Sequence, residues 1–586
     1  MIEKLKQIFR KEWHIPFESK VARVIKSFSL TEKTIFFVFV VIFVVSGFSL
    51  LFQVNKLFLV EVPDYGGTLT EGVIGTPRFI NPLLATSDID KDLASLIYSG
   101  LLKIDSSGKL VPDLAESYAI SDDSLTYTFV LKNNIYFHDG SRVTADDVIF
   151  TVEKAQDESL KSPREANWSG VKVSKIDDRT VSFTLKQPYS PFVQNMTMGI
   201  LPKNTWDKAS IEEFAFSQFN TKPIGSGPYQ IDSITYSGSG LPSEYHLKAF
   251  KKYSLGEPYI SKVVIKAYQN EKDEIDAYKS GNIDSLHSIS PKELPSLKVA
   301  SDEVVLAPLP RVFGVFFNQN VAPVLVNKEV RQALDAATDK QAIVDTVLGG
   351  YGQAISGPVP VDTLAARKLA TTTDQERIEA AQNILTKAGW KLNSSGIFAK
   401  TDSKKNTTTL SFSISTGNAP ELKEAAYLLQ KEWQAIGAVV EVKVFEIGDL
   451  NQNIIKPRKY DALLFGEVIG RDVDLYPFWH SSQRNAPGLN IALYTNLKAD
   501  KILENIRKTT DPQEQQDYFD SFNNEISNDK PAVFTYSPYF IYIVPKTVKN
   551  VKLGMLTSPS ERFSDIADWY IETNNVWKIF SNSNNR

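Results

Sequence analysis

Between Lys33 and Lys56 the chain reads TIFFVFVVIFVVSGFSLLFQVN, without a charge and with a core of Phe, Val, Ile and Leu from Thr34 to Phe52. Roughly 19 residues at about 1.5 Å each give about 29 Å, the hydrocarbon thickness of a bilayer, so one transmembrane helix is predicted over 34–54. Lys4, Lys6, Arg10, Lys11, Lys20, Arg23, Lys26 and Lys33 precede it, while the near downstream side offers only Lys56. That asymmetry predicts a cytoplasmic segment at 1–33 and an extracytoplasmic body after the helix. A cleaved signal peptide is the alternative, but the run is long for such a segment and no small-residue cleavage site follows.

Farther along, the pattern shortens and alternates. VPDYGG at 62–67 fits a linker, placed at 55–67. Tyr127, Phe129 and Leu131 alternate with polar neighbours, as do Val181, Phe183 and Leu185, predicting half-buried strands. Between them Asp139-Gly140 marks a turn, and Thr144 with Asp147 forms a capping box for a helix. Asn327 and Asp339 are placed to cap two short helices that end near Gly349, and Thr373 with Glu376 opens another. Leu410, Phe412 and Ile414 then alternate, Leu422, Ala426, Leu429, Trp433 and Ile436 recur at helical spacing, and Val440, Val442 and Val444 alternate again. Strand, helix and strand in that order predict a right-handed parallel crossover, with YDALLFG at 460–466 as a third strand.

At 586 residues the chain exceeds one core, and 42% hydrophobic with 23% charged residues is ordinary for folded protein. A formal net charge of −4, with Lys and Arg spread along the chain, makes nucleic acid an unexpected partner. The absence of cysteine excludes disulfides, thiolate metal sites, thiol nucleophiles and an acylated-cysteine anchor. There is no GxSxG elbow, HExxH, Walker loop or GxGxxG opening a helix, and the five histidines have no ligand-like spacing. Gly349-Gly350-Tyr351-Gly352 follows a helix and reads as its end and a turn, and Asp122-Asp123 and Asp146-Asp147 read as a turn and a helix start. No enzyme, metal or cofactor is expected.

Several stretches together carry a resemblance. They are NPLLATSDIDKDLASLIYSGLLKID at 81–105, PDLAESYAISDDSLTYTFVLKNNIYFHDGSRVTADDVIFTVEKA at 112–155, KPIGSGPYQI at 222–231, FFNQNVAPVLVNKEVRQALDAATDKQAIVDTVLGG at 316–350 and AAQNILTKAGWK at 380–391. In order and spacing the chain resembles the family 5 extracellular solute-binding proteins that serve ABC importers of peptides, nickel chelates or other solutes. The resemblance implies an α/β, two-lobed periplasmic-binding-protein-like fold of class II with three structural domains, preceded by the transmembrane helix. Domain I would combine 66–100, 201–310 and 536–560, domain II would be 101–200, and domain III 311–535, leaving 561–586 as a C-terminal tail. The implied function is capture of oligopeptides or dipeptides by lobe closure and delivery to membrane permease subunits, by a monomer held on the membrane through its helix. A peptide-sensing receptor without transport and an anchored hydrolase are the rivals.

In peptide-binding relatives an aspartate shortly before a proline receives the ligand ammonium. Here the stretch is GEVIGRDVDLYPFWHSS at 466–482, and Asp472 and Asp474 are the candidates, each offset by one position from the usual spacing to Pro477. One of them alternatively caps the turn that follows. Arg471 is expected to pair with a carboxylate or clamp an acidic ligand. Gly466, Glu467, Tyr476, Trp479 and Tyr536 complete the expected cleft surface, with Asn81 and Gly225-Ser226-Gly227 shaping the domain I wall.

Overall fold

The computed structural model describes residues 24–297, 302–359, 372–471, 473–509 and 511–578. They form two compact units, one of the chain up to Asp64 with the chain from Thr573 onward, the other Tyr65–Glu572. In the first unit the apolar run is a single helix, Leu30–Phe58, and none of its most apolar window is buried. By length and composition it is able to cross a membrane. The expected linker at 55–67 is structured instead. The helix continues to Phe58, and Leu59–Pro63 is a strand because Thr573–Trp577 supplies an antiparallel partner, Leu59 facing Trp577.

The second unit is mixed α/β. One four-stranded sheet runs Gly66–Ile74, Ile260–Tyr268, Pro242–Ala249, Tyr229–Tyr236, and another runs Ala115–Ile120, Thr126–Leu131, Thr180–Thr184, Lys172–Lys175. In the second of these Tyr127, Phe129 and Leu131 are buried while their neighbours are half-exposed, so the alternation seen in the sequence is the inward face of the sheet. Helix Ala145–Gln156 follows, opened by the Thr144–Asp147 capping box, with Thr144 N donating to Asp147 Oδ2 at 2.8 Å.

The largest sheet contains Leu286–His287, Ala532–Pro545, Arg311–Phe317, Ala462–Val468, Ser411–Gly417 and Val439–Phe445. Ser411–Gly417 and Val439–Phe445 are parallel and joined by helix Pro420–Ala435, the predicted crossover. Its inner strands are apolar without alternation because both faces are covered. Val315, Phe317, Ala462, Leu464 and Val533 enter one core, and Val312, Phe316, Leu463, Ala532 and Phe534 the other. Ala532–Pro545 changes partner along its length. Ala532 to Tyr536 lie beside Arg311–Phe317, and Tyr539 to Pro545 beside Asp302–Pro308.

Asp339 caps its helix, Oδ1 accepting from Ala342 N at 2.9 Å, but Asn327 stands at the cap position and turns its amide back to Val324 O. Residues 561–572, expected within the tail, belong to the packed body. Arg562, Phe563, Ile566 and Trp569 are all buried, held by ion pairs that the sequence does not announce. Arg562 places Nε and Nη2 on Glu71 Oε1 at 2.7 and 2.5 Å, and Nη1 and Nη2 on Asp92 at 2.9 and 2.7 Å. Its fifth donor meets Pro559 O at 2.8 Å.

Candidate functional site

The 222–231 stretch positions one wall. Gly225 and Gly227 lie so close to Ile97 and Tyr98 that an added Cβ would stand 2.0 and 2.8 Å from the Ile97 carbonyl oxygen, a space only glycine fits. His138, from the FHDG turn, holds this segment from behind. Its Nδ1 accepts from Gly225 N at 3.3 Å and its Nε2 faces Gly227 O at 3.1 Å, which fixes the neutral ring with the proton on Nε2. Desolvation lowers its pKa to about 4, so the ring stays neutral at physiological pH.

Beyond this wall lies a cleft of about 1240 Å³. It is lined by segments distant in sequence, represented by Tyr98, Arg164, Tyr189, Arg471, Arg507 and Glu561. Two contacts close it. Arg471 Nη2 donates to Met555 O at 2.6 Å and to Glu561 Oε2 at 2.7 Å, and Glu561 also accepts from Thr557 N at 2.8 Å. Arg507 donates through Nε and Nη2 to both oxygens of Asp474 at 2.9 and 2.6 Å, and its guanidinium lies 3.9 Å from the Tyr476 ring centre. The same arginine lies 5.9 Å from the Tyr189 ring, and its carbonyl accepts from Ser190 Oγ at 3.5 Å. Residues about 300 positions apart in sequence thus meet across the cleft.

The predicted site residues separate into three groups. Arg471 lines the cleft and is paired with Glu561. Asp474 is committed to Arg507 and also accepts from Tyr476 N at 3.3 Å, the turn-capping role, while Tyr476 stacks on His480 at 4.0 Å. Asp472 lies outside the described residues. The remainder are scaffold. Trp479 is fully buried among Phe316, Tyr494, Phe522 and Phe534, and Tyr536 is buried and stacked on Phe313. Gly466 faces that same Phe313 ring, which a Cβ would meet at 2.6 Å. Asn81 is buried, its Oδ1 accepting from Leu83 N and its Nδ2 donating to Asn220. Glu467 is buried, and desolvation raises its carboxyl pKa well above the ordinary value. Gly466, Glu467, Trp479 and Tyr536 correct the expectation of cleft surface because they sit on strands or a short helix packed on both faces, whereas Asn81 is buried in a bend.

The family model described as bacterial extracellular solute-binding proteins, family 5 Middle, matches residues 109–486. The chain belongs to this family. The family 5 protein is 29% identical over 522 residues to the oligopeptide-binding protein AppA of Bacillus subtilis, covering 87% of this chain and 92% of the relative. The structure of that AppA with a nonapeptide superposes with a TM-score of 0.64 at 28% identity, covering 87% of this chain and all of the other (100%). The ABC transporter substrate-binding protein CtaP of Listeria monocytogenes gives a TM-score of 0.72 at 28% identity, with coverage of 87% and 100%. NikZ of Campylobacter jejuni, solved with Ni(L-His), gives 0.65 at 26%, with coverage of 86% and 99%. The fold of this family 5 protein is therefore that of the periplasmic binding proteins, and its relatives bind peptides or small ligands for ABC transporters. Reading the sequence missed Arg164, Arg507 and Glu561, none of which stands in a motif with a chemical period.

Proposed function

We propose that this chain is a membrane-anchored, extracytoplasmic substrate-binding protein of an ABC importer that captures peptides between its lobes and passes them to permease subunits. The observation that carries the reading is the cleft of about 1240 Å³, walled by segments distant in sequence and bridged by Arg471–Glu561. Such a volume exceeds an ordinary small-molecule pocket and suits an extended ligand. Ligand contacts made to both walls favour the closed arrangement over the open one, which is the signal a permease can read. In this reading the three-domain partition at 66–100 with 201–310 and 536–560, 101–200, and 311–535 describes the moving bodies, and the protein acts as a monomer. Asp472, Asp474, Arg471 and Tyr476 are the residues proposed to hold a ligand end.

The helix Leu30–Phe58 is retained as the anchor, with the basic residues before it in the cytoplasm. A tether raises the local concentration of the binding body beside its permease. Two measurements test the proposal. Native mass spectrometry of the detergent-solubilised chain should release co-purifying peptides, and protease added to intact cells should digest the body while an epitope at the N-terminus survives. A chain that carries no peptide and binds none from a random peptide mixture refutes the ligand class. A body protected from external protease refutes the topology.

A further inference from the structure

The cleft is lined by six cationic side chains, Lys91, Lys103, Arg164, Lys186, Arg471 and Arg507, but by only two acidic ones, Asp113 and Glu561. Three of the cations are neutralised within the protein. Lys103 pairs with Asp565 at 2.7 Å, Arg471 with Glu561 and Arg507 with Asp474. Both acids are also occupied, Asp113 accepting from the Ser254 hydroxyl and Glu561 from Arg471 and Thr557. Lys91, Arg164 and Lys186 remain with no ion pair or side-chain hydrogen bond among the described residues. The cleft thus carries surplus positive charge, in a chain whose net charge is −4.

Arg164 is the most telling of the three. A lysine in water needs no partner, and Lys91 and Lys186 alone are consistent with solvated walls. Arg164 is exposed on the cleft lining with no side-chain partner among the described residues, so its guanidinium can engage a ligand without breaking a bond within the protein. A planar five-donor group held there unpaired is matched to a carboxylate, which it can engage through two parallel hydrogen bonds. Tyr98 lines the same cleft, and its hydroxyl is buried without a hydrogen-bond partner among the described residues. Burial raises the Tyr98 pKa, so the hydroxyl keeps its proton and is available as a donor.

We propose that the cleft selects acidic peptides, with Arg164 as the specificity-determining residue that receives a ligand side-chain carboxylate and Lys91 and Lys186 supplying the surrounding positive field. This rests on the peptide-capture reading above and is independent of how the ligand's amino end is held. The test uses the full chain in detergent micelles and three probes of equal length, Ala-Glu-Ala, Ala-Gln-Ala and Ala-Lys-Ala, titrated by calorimetry. A charge-assisted pair predicts that the glutamate peptide binds about tenfold more tightly than its glutamine isostere, and the lysine peptide more weakly than either. The advantage should shrink as salt is raised. Arg164→Gln should remove about that tenfold and leave the glutamine peptide unchanged. Because Arg164 makes no side-chain bond within the described residues, its loss spares the fold, which an unchanged melting curve verifies. Equal affinity for all three probes, or an Arg164→Gln protein that retains the preference, overturns acidic selection while leaving peptide capture standing. Failure of all three to bind overturns acidic selection, and it overturns peptide capture as well only if the random peptide mixture is also refused.

Discussion

Replacing Arg562 with methionine should destabilise the second unit severely, although the residue touches no ligand. The guanidinium is fully buried, all five of its donors are used, and its plane lies 4.0 Å from the Phe563 ring centre. Methionine keeps the apolar stem but leaves Glu71 and Asp92 buried without their counter-charge. Orphaning one buried ion costs about 3–5 kcal/mol, and two are orphaned here, so the loss should reach at least the upper end of that range. Burial pushes the Asp92 carboxyl up, but the Arg562 charge and His287 outweigh it and hold it at about 2. A depressed carboxyl contributes stability that is present above its unfolded pKa and lost as pH falls through the folded one. The wild-type contribution is therefore complete above about pH 4 and fades toward pH 2, and the deficit of the variant widens further above pH 4 as its stranded carboxyls are forced to ionise. Urea unfolding of the full chain in micelles, followed by tryptophan fluorescence, reads the change. Trp569, buried 6.2 Å from Tyr542, reports on this cluster. Adding Glu71→Gln and Asp92→Asn should restore most of the loss, since a neutral cluster leaves no stranded charge. An Arg562→Met midpoint equal to wild type at neutral pH refutes the reasoning.

Three further substitutions give outcomes of different sign. Glu274 is buried with neither carboxyl oxygen hydrogen-bonded among the described residues, and burial, reinforced by the Glu71 charge, raises its pKa to about 8. A raised carboxyl lowers stability progressively as pH rises from its unfolded pKa through the folded value, so Glu274→Met should stabilise by on the order of 3–5 kcal/mol above pH 8 and by little below about pH 4 in urea melts. His138 refuses a proton that the unfolded chain accepts, so its contribution to stability is lost as pH falls from about 6.5 to about 4. His138→Asn, which can still accept from Gly225 N, should flatten that acid limb by ~1–3 kcal/mol; an unchanged limb in melting curves between those pH values counts against it. Gly225→Ala forces a methyl onto the Ile97 carbonyl and should cost about 1–3 kcal/mol or more with weakened peptide binding, whereas a neutral result would show that the wall is loose.

Much of the scaffold was legible because local chemistry dictates it. The Thr144–Asp147 and Thr373–Glu376 boxes, the turn at Gly140 with its positive φ of 89°, and the parallel crossover from Ser411 to Phe445 all follow from caps, glycine and period. Two blocks of the resemblance acquire a shared reason in the structure, since His138 of FHDG clamps Gly225 and Gly227 of IGSGPY. The site was less legible. Trp479 and Tyr536 have the composition of a ligand surface, but an aromatic in a short polar-flanked stretch looks the same in sequence whether it faces a cleft or a second core layer. Asp474 has the right chemistry for an ammonium, yet its partner Arg507 stands 33 residues away on helix Leu497–Lys508. Arg562 lies beyond every expected element because its two carboxylates are 491 and 470 residues distant.

In the proposed lobe closure, the distribution of ion pairs would let rigid bodies and a movable gap coexist in one chain. The fully buried Arg562 cluster ties the segment from Pro559 to Trp569 to Glu71 and Asp92, and opening it would strand charges in a medium that cannot solvate them. The pairs along the cleft differ. Arg507 and Asp474 keep 31% and 18% of their side-chain surface, while in the other pair Glu561 keeps 21% and Arg471 8%. Such groups recover water when they part, so separation costs far less. Glu561 sits directly beside Arg562, so the strong cluster fixes one half of the weak Arg471–Glu561 contact. Under the proposed lobe closure, one fixed half and one exchangeable bond form the kind of latch that differential ligand contacts can decide.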